Sequence, residues 1–308
     1  MPPPLTYPAL CCVLEFLDPA RRIHINARNA ALQRIDASIP YRMDTIVIGE
    51  FCVYLNEIKI FNSRYNVILF EKLCSNEKIQ KVVPLDQKAE VMRKLYNYYF
   101  GEKRSTILVD NALFTQQLSD IVYPQNLSST INKLSVHWLD FRKILPYINP
   151  ISFPLKSFEI LDDKPVFLDH PVVQSAETVK IQLVGDSPTT KLPDAHLLRN
   201  KNISVDYSDC KSRDVMRIIR HWMTHGKEIG TKFTLTYRGI GHHIVSSLLI
   251  EFEKFLCDSE GVDKQMLPHK PRFAIKLNSW SKIFVYEIDV KRNYGYAESQ
   301  LALTVVEN

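Results

Sequence analysis

Short strings of β-forming residues recur at nearly even intervals along the chain, and this spacing restricts the possible folds more than any other feature. Aligning the apolar centres Leu108, Leu134, Phe158, Val179 and Ile203 gives successive steps of 26, 24, 21 and 24 residues. Steps of about 20 to 29 residues are typical of leucine-rich repeats, in which each repeat adds one strand to a parallel sheet. The spacing therefore predicts an irregular leucine-rich-repeat-like α/β domain. Because the asparagine ladder of regular repeats is missing, an ordinary α/β sheet with evenly spaced strands is the alternative.

The segments between these strings carry helical patterns or irregular return paths. In residues 212–226 one helix face is apolar, Ser212 precedes the helix as a cap and Gly226 ends it; the apolar residues are Val215, Ile218, Ile219 and Trp222. Residues 244–257 predict a second helix, with a broad apolar stripe formed by Ile244, Leu248, Leu249, Phe252, Phe255 and Leu256. Residues 139–148 are a further return segment. The fold class that follows is mixed α/β (α+β).

Other patterns flank this region on both sides. Residues 43–83 alternate with period two, which predicts a meander of short strands, and residues 86–100 predict a helix that Asp86 caps and Gly101 ends. We assign the repeats to 86–240. Residues 241–308 predict a C-terminal helix followed by a hairpin and a closing strand, because an open end of the sheet would expose unpaired backbone groups.

Three short capped helices are predicted within residues 5–40. Asp18 and Asn29 are N-cap residues for the second and third helices, and Pro40 ends the third. The first helix carries an apolar stripe at i, i+3, i+4 and i+7, formed by Leu10, Val13, Leu14 and Leu17. A unit this small buries little surface by itself, so part of the stripe is expected to need a partner. We therefore separate residues 1–42 from a second domain at 43–308.

This N-terminal segment resembles an F-box, with Leu5, Tyr7 and Pro8 where F-boxes open on a leucine-proline pair. The chain is similar to a nematode family of F-box-associated proteins whose downstream region is a domain of unknown function. The resemblance continues at FPLKSFEI (153–160), DHPVVQSAETVKI (169–181), IIRHWMTHGKEIGTKFTL (218–235) and IFVYEIDV (283–290). It covers most of the 308 residues through the order and spacing of these segments.

The resemblance implies that residues 1–42 bind the Skp-type adaptor of a cullin-based ubiquitin ligase, and that the rest of the chain selects a protein target. The adaptor-binding residues would then be Leu5, Tyr7, Pro8, Leu10, Val13, Leu14 and Leu17. In the alternative, the three helices only cap the repeat domain with the stripe facing inward, and the protein is a stand-alone scaffold. Exposure of the stripe favours docking, and burial favours the cap.

Composition excludes several other classes of protein. The 39 basic and 34 acidic residues give a net charge of +5 without a basic run, which argues against nucleic-acid binding. The six cysteines show neither zinc-site spacing nor the density of a secreted disulfide scaffold, so an intracellular protein, cytoplasmic or nuclear, is expected. No apolar run approaches the roughly 18 residues that span a membrane.

Motifs for catalysis, metals and cofactors are missing. His221 and His225 have the i, i+4 spacing of a zincin pair, but the residues between them lack the glutamate that would act as general base. His242 and His243 are adjacent and diverge in direction, which favours a loop or a helix N-terminus. We predict a non-enzymatic protein with no metal and no cofactor. An enzyme would instead need a deep pocket with convergent polar groups around His221 or His242.

Overall fold

The structure is a computed structural model. It describes residues 6–49, 51–62, 67–73, 75, 77–101, 106–115, 129–137, 141–162, 167–183, 195–207, 210–238, 242–258, 273–290 and 298–308. Residue contacts divide the chain into two compact units, Met1–Phe153 and Pro154–Asn308. The boundary at residue 42 stays a prediction. The mixed α/β class is confirmed, because both units combine helices with a sheet.

The first unit begins with three short helices, followed by a sheet and a fourth helix. The helices are α1 (Tyr7–Phe16), α2 (Pro19–Asn26), α3 (Ala30–Asp36) and α4 (Lys88–Phe100). Within this unit the strand order is β7-β6-β1-β2-β3-β4-β5. The strands are β1 (Tyr41–Gly49), β2 (Cys52–Leu55), β3 (Ile58–Asn62), β4 (Val67–Lys72), β5 (Glu77–Val82), β6 (Ile107–Thr115) and β7 (Ser129–His137). Strands β1 to β5 form the predicted meander, and β1 also pairs in parallel with β6.

The second unit has four parallel strands, and antiparallel strands extend the same sheet beyond them. Its strand order is β12-β13-β14-β15-β11-β10-β9-β8. The strands are β8 (Ser157–Asp162), β9 (Thr178–Leu183), β10 (Asn202–Asp206), β11 (Lys232–Arg238), β12 (Leu256–Cys257), β13 (Phe273–Lys276), β14 (Ser281–Val290) and β15 (Glu298–Glu307), and the helices are α5 (Pro171–Ser175), α6 (Ser212–His225) and α7 (His242–Glu251). Strand β15 pairs antiparallel with β11, which confirms the predicted closing strand.

The predicted alignment of strands is right in the second unit and wrong in the first. Phe158 lies opposite Val179, and Val179 lies opposite Ile203, as the sequence spacing predicts. In the first unit, however, Leu134 lies opposite Ala112 instead of Leu108. The predicted string TILV is only the start of β6, which continues through the polar residues 110 and 111. Because of these polar residues, the second half of the strand was not predicted.

Helix interiors were predicted more accurately than helix ends. Asp18 and Asn29 do cap α2 and α3, since each side chain accepts hydrogen bonds from two backbone N–H groups. In contrast, α4 begins after a 3₁₀ turn and Gln87 precedes it, so Asp86 is not its cap. Lys211, not Ser212, precedes α6, and its backbone N–H donates to Asp214 Oδ2 at 3.2 Å.

The predicted apolar face of α6 is confirmed, and that of the following helix is confirmed in part. All four residues of the α6 face are buried: Val215, Ile218, Ile219 and Trp222. Helix α7 ends at Glu251, earlier than predicted, and a 3₁₀ turn and the short β12 follow it. Phe255 and Leu256 are therefore exposed by 47% and 40%. The apolar pattern of Phe255 and Leu256 fits a helix because the 3₁₀ turn after α7 keeps a nearly helical spacing of residues.

Candidate functional site

The predicted docking stripe lies on α1, and its residues occupy different environments. Leu14 is only 2% exposed and belongs to the core of the first unit. Leu10 and Leu17 are half-buried beside it. On the helical wheel Leu10 and Leu14 share one face, because residues four apart lie one above the other. Leu17 follows the last residue of α1. This face of α1 points inward, as the scaffold alternative predicts.

The remaining predicted contact residues are exposed. Tyr7 and Val13 are exposed by 62% and 48%, and Pro8 is exposed as well. A hydrogen bond with Cys11, one turn further along the helix, raises the pKa of the Tyr7 hydroxyl. Leu5 lies outside the described residues.

Helix α1 also has an outward apolar face that the sequence did not predict. Phe16 is 86% exposed, and Cys12 and Val13, which precede it by four and three residues, are exposed too. Residues at these spacings are neighbours on a helix surface. We call Cys12, Val13 and Phe16 the outer face of α1. A single apolar stripe does not predict it, because this short helix carries apolar residues on two sides.

A buried arginine joins α2 and α3 to the start of β1. The Arg22 side chain of α2 is 1% exposed and forms an ion pair with Asp36 of α3. Its guanidinium also donates to the carbonyl oxygens of Ile39 and Pro40 at 2.5 and 3.0 Å, and lies 4.1 Å from the ring centroid of Tyr41 in β1. Helix α1 contacts α3 and buries Leu14, so its outer face lies on an ordered support.

A second candidate site is a cavity of about 760 Å³ in the second unit, beside the C-terminal end of α6. The loop that precedes β10, the end of α6 and the turn between β13 and β14 supply its walls. The lining residues are His196, Leu197, Leu198, Arg199, His221, Trp222, His225, Gly226, Lys227, Glu228 and Asn278. From the sequence, His221 and His225 are candidate metal ligands and His221 is a candidate centre of an enzyme pocket, but no pattern connects them to His196, Arg199 or Asn278.

Three imidazole rings meet at this cavity. The ring centroids of His196 and His221 are 4.8 Å apart, and those of His221 and His225 are 4.2 Å apart. Burial, His225 and Lys227 lower the pKa of His221 below its ordinary value. His221 and His225 flank the buried face of α6, as predicted, since the first is half-buried and the second is exposed.

The described residues hold no group of three or more histidine, cysteine, aspartate or glutamate side chains placed to bind a metal ion. His243 is exposed in the first turn of α7, which confirms the predicted helix N-terminal position. Within the same ranges, no helix is both long enough and apolar enough to cross a membrane.

Comparison with known proteins found one similarity. No curated protein and no solved structure was found to match the chain. A family model does match part of the chain, from the 3₁₀ turn before α4 to the end of β11. The matched segment contains every lining residue of the cavity except Asn278. Residues 87–239 are similar to the family described as Domain of unknown function (DUF3557).

Proposed function

We propose that the protein is a non-enzymatic interaction subunit whose N-terminal helices bind a Skp-type adaptor of a cullin-based ubiquitin ligase and whose remainder recognises a protein target. The observation that carries the proposal is the outer face of α1, where Phe16 is 86% exposed next to Val13. A large exposed aromatic side chain on a fixed helix is a common anchor in protein interfaces. The resemblance of the N-terminal sequence, residues 5–40, to an F-box is the support for the identity of the partner.

The mode of docking differs from the expected one. The leucines of the stripe support the helices from inside, because Leu14 is buried. The adaptor would instead contact the first turn of α1 at Tyr7 and Pro8, and the outer face at Val13 and Phe16. The buried ion pair between Arg22 and Asp36 fixes α2 and α3, so little ordering of the helices accompanies binding.

Co-purification of the full chain with a Skp-type adaptor tests the proposal. We expect Phe16→Asp to abolish co-purification, because a charge would be placed in the apolar contact, while the unfolding free energy changes by no more than about 0.5 kcal/mol. Leu14→Ala is the contrasting variant. It should lower the unfolding free energy by about 2 to 5 kcal/mol through the cavity that it leaves in the core.

Ile151→Asp is a matched control, since Ile151 is 78% exposed in the same unit but lies outside the N-terminal helices. It should leave adaptor binding intact. Failure of the wild-type chain to bind any Skp-type adaptor would refute the proposal. The stand-alone scaffold would then be the better description, and the inward position of Leu14 is the observation that favours it.

A further inference from the structure

We propose that the cavity beside α6 binds an oxyanion, a phosphoryl or carboxylate group that a side chain of a partner protein presents. This inference concerns the second unit only and does not depend on adaptor binding. It supplies a recognition surface of the kind that the proposed function requires.

Basic groups outnumber acidic ones in the cavity wall. Arg199 and Lys227 contribute two positive charges, Glu228 contributes one negative charge, and three imidazole rings are further polar groups in the wall. No carboxylate among the described residues lies within 4.0 Å of the cationic nitrogens of Arg199 or Lys227. An oxyanion is the chemical class that such a wall attracts, because charged donors bind phosphoryl and carboxylate oxygens more strongly than neutral ones.

Burial is the main cause of two lowered pKa values beside the cavity. It lowers the pKa of Lys227, and among the nearby charges Glu228 raises that pKa more than Arg199 lowers it. Burial also lowers the pKa of His221, and the neighbouring His225 and Lys227 lower it further. Both groups would be stabilised in their charged forms by an anion between them.

One neutral ring in the wall supplies a further hydrogen-bond donor. Arg217 can only donate, so Nδ1 of His196, 3.4 Å from its guanidinium, is an acceptor, and the His196 ring then carries its proton on Nε2. The indole N–H of Trp222 is buried and has no acceptor within the part of the chain that the structure describes, so it is not counted as a donor to the cavity. The Nε2 N–H of His196 adds to the charged groups of Arg199 and Lys227.

Compensation of the α6 helix dipole is a simpler explanation for some of these cations. Positive groups stabilise helix C-termini, and Nδ1 of His225 does donate to the carbonyl oxygen of His221 at 3.1 Å. The Lys227 ammonium, however, donates to the carbonyl oxygen of Leu198 at 2.6 Å, outside α6. The helix dipole therefore does not account for Lys227, whose ammonium also lies 5.7 Å from the centroid of the Trp222 ring, or for Arg199, which lies outside α6.

Exposed apolar side chains near the cavity indicate that the anion belongs to a protein. Leu197 in the wall is 51% exposed, and Ile229, which follows Glu228, is 54% exposed. Trp280 is 77% exposed in the turn that supplies Asn278, and its backbone N–H donates to Asn278 Oδ1 at 2.8 Å. A free inorganic anion would make no use of these residues, whereas a protein segment would pack against them.

Isothermal titration calorimetry of the full chain without adaptor tests this inference. The probes are N-acetyl-phosphoserine amide, N-acetyl-glutamate amide and, as the neutral control, N-acetyl-serine amide. We expect the anionic probes to bind and the neutral probe not to bind, with affinity falling as salt is added. Tighter binding of the phosphoserine probe would identify a phosphorylated partner, and equal binding would identify an acidic segment.

Charge-removing variants locate the site. Arg199→Gln and Lys227→Gln should each weaken binding about tenfold, since each removes a charge-assisted contact. Arg213→Gln is the matched control, because Arg213 is exposed on α6 and does not line the cavity. Lys227 also donates to the carbonyl oxygen of Leu198, so Lys227→Gln can destabilise the fold. If its melting temperature falls, the binding result for Arg199→Gln alone tests the inference. The inference is overturned if neither anionic probe binds, or if Arg213→Gln weakens binding as much as Arg199→Gln does.

Discussion

Arg22 holds a positive charge inside the first unit, and groups of three chemical kinds stabilise it there. The Asp36 carboxylate pairs with it, three backbone carbonyl oxygens accept hydrogen bonds from its terminal nitrogens, and its central carbon lies over the Tyr41 ring. Tyr41 also donates to Asp36 Oδ2 at 2.5 Å. A buried charge is tolerated only when its hydrogen-bonding groups are satisfied in this way.

Arg22→Met should therefore lower the unfolding free energy by about 3 to 5 kcal/mol, because it leaves the Asp36 carboxylate buried without its counter-charge. Urea denaturation measures the change. Arg42→Met is the control, since the Arg42–Glu15 pair is exposed by 62% and 37% at its two side chains. It should cost less than about 1 kcal/mol. Equal costs for the two variants would show that the Arg22 network adds nothing beyond a surface ion pair.

At the scale of elements, glycine ends two helices for different reasons. Gly226 follows α6 with φ +77° and ψ 167°, a conformation that residues with a side chain rarely adopt. Gly101 follows α4 with φ −64°, which any residue tolerates. At Gly101, however, an added Cβ would lie 2.3 Å from the carbonyl oxygen of Asn97. The first glycine is required by backbone conformation and the second by space.

Gly226→Ala should cost about 1 to 3 kcal/mol through backbone strain alone, because no heavy atom lies within 4 Å of the added Cβ. Gly101→Ala should displace the last turn of α4 and so lower its helix content, which circular dichroism measures together with the melting temperature. A Gly226→Ala variant as stable as the wild type would contradict the strain argument. Unchanged helix content in Gly101→Ala would contradict the steric one.

At the scale of the whole molecule, a thiol and a phenol with raised pKa values predict how the free energy of unfolding changes at alkaline pH. Burial and the nearby Asp214 raise the pKa of Cys210 from 9.0 to about 12, and burial and Glu287 raise that of Tyr237. As the pH rises above 9, the unfolded thiol releases its proton while the folded thiol keeps it. The unfolded state then binds fewer protons, so stability falls with rising pH.

The free energy of unfolding should accordingly fall by up to about 1.4 kcal/mol per pH unit for each such group above its unfolded pKa. Urea denaturation at several pH values from about 8 to about 10.5 measures this slope. Cys210→Ala should reduce the slope because it removes one titrating group. Cys12→Ala, at an exposed position, should leave the slope unchanged. Identical slopes in wild type and Cys210→Ala would refute the assignment.

Local patterns explain which parts of the fold could be predicted. Asp18 and Asn29 cap their helices through bonds that span two or three residues, so the sequence contains both partners. The alignment of Phe158, Val179 and Ile203 was predictable because equal strands at even spacing place equivalent residues side by side. Leu108 was misaligned because its strand continues through polar residues that no periodicity identifies.

The sequence by itself determined most of the helices, the alignment of the parallel strands β8, β9 and β10, and the apolar stripe of α1. Tertiary structure decided which side of α1 faces outward, so that Leu14 supports the core and Phe16 remains available to a partner. It also assembled the cavity, since His196, His225 and Asn278 come from three segments that only folding brings together. Secondary structure depends on neighbours in the chain, whereas exposure and binding sites depend on neighbours in space.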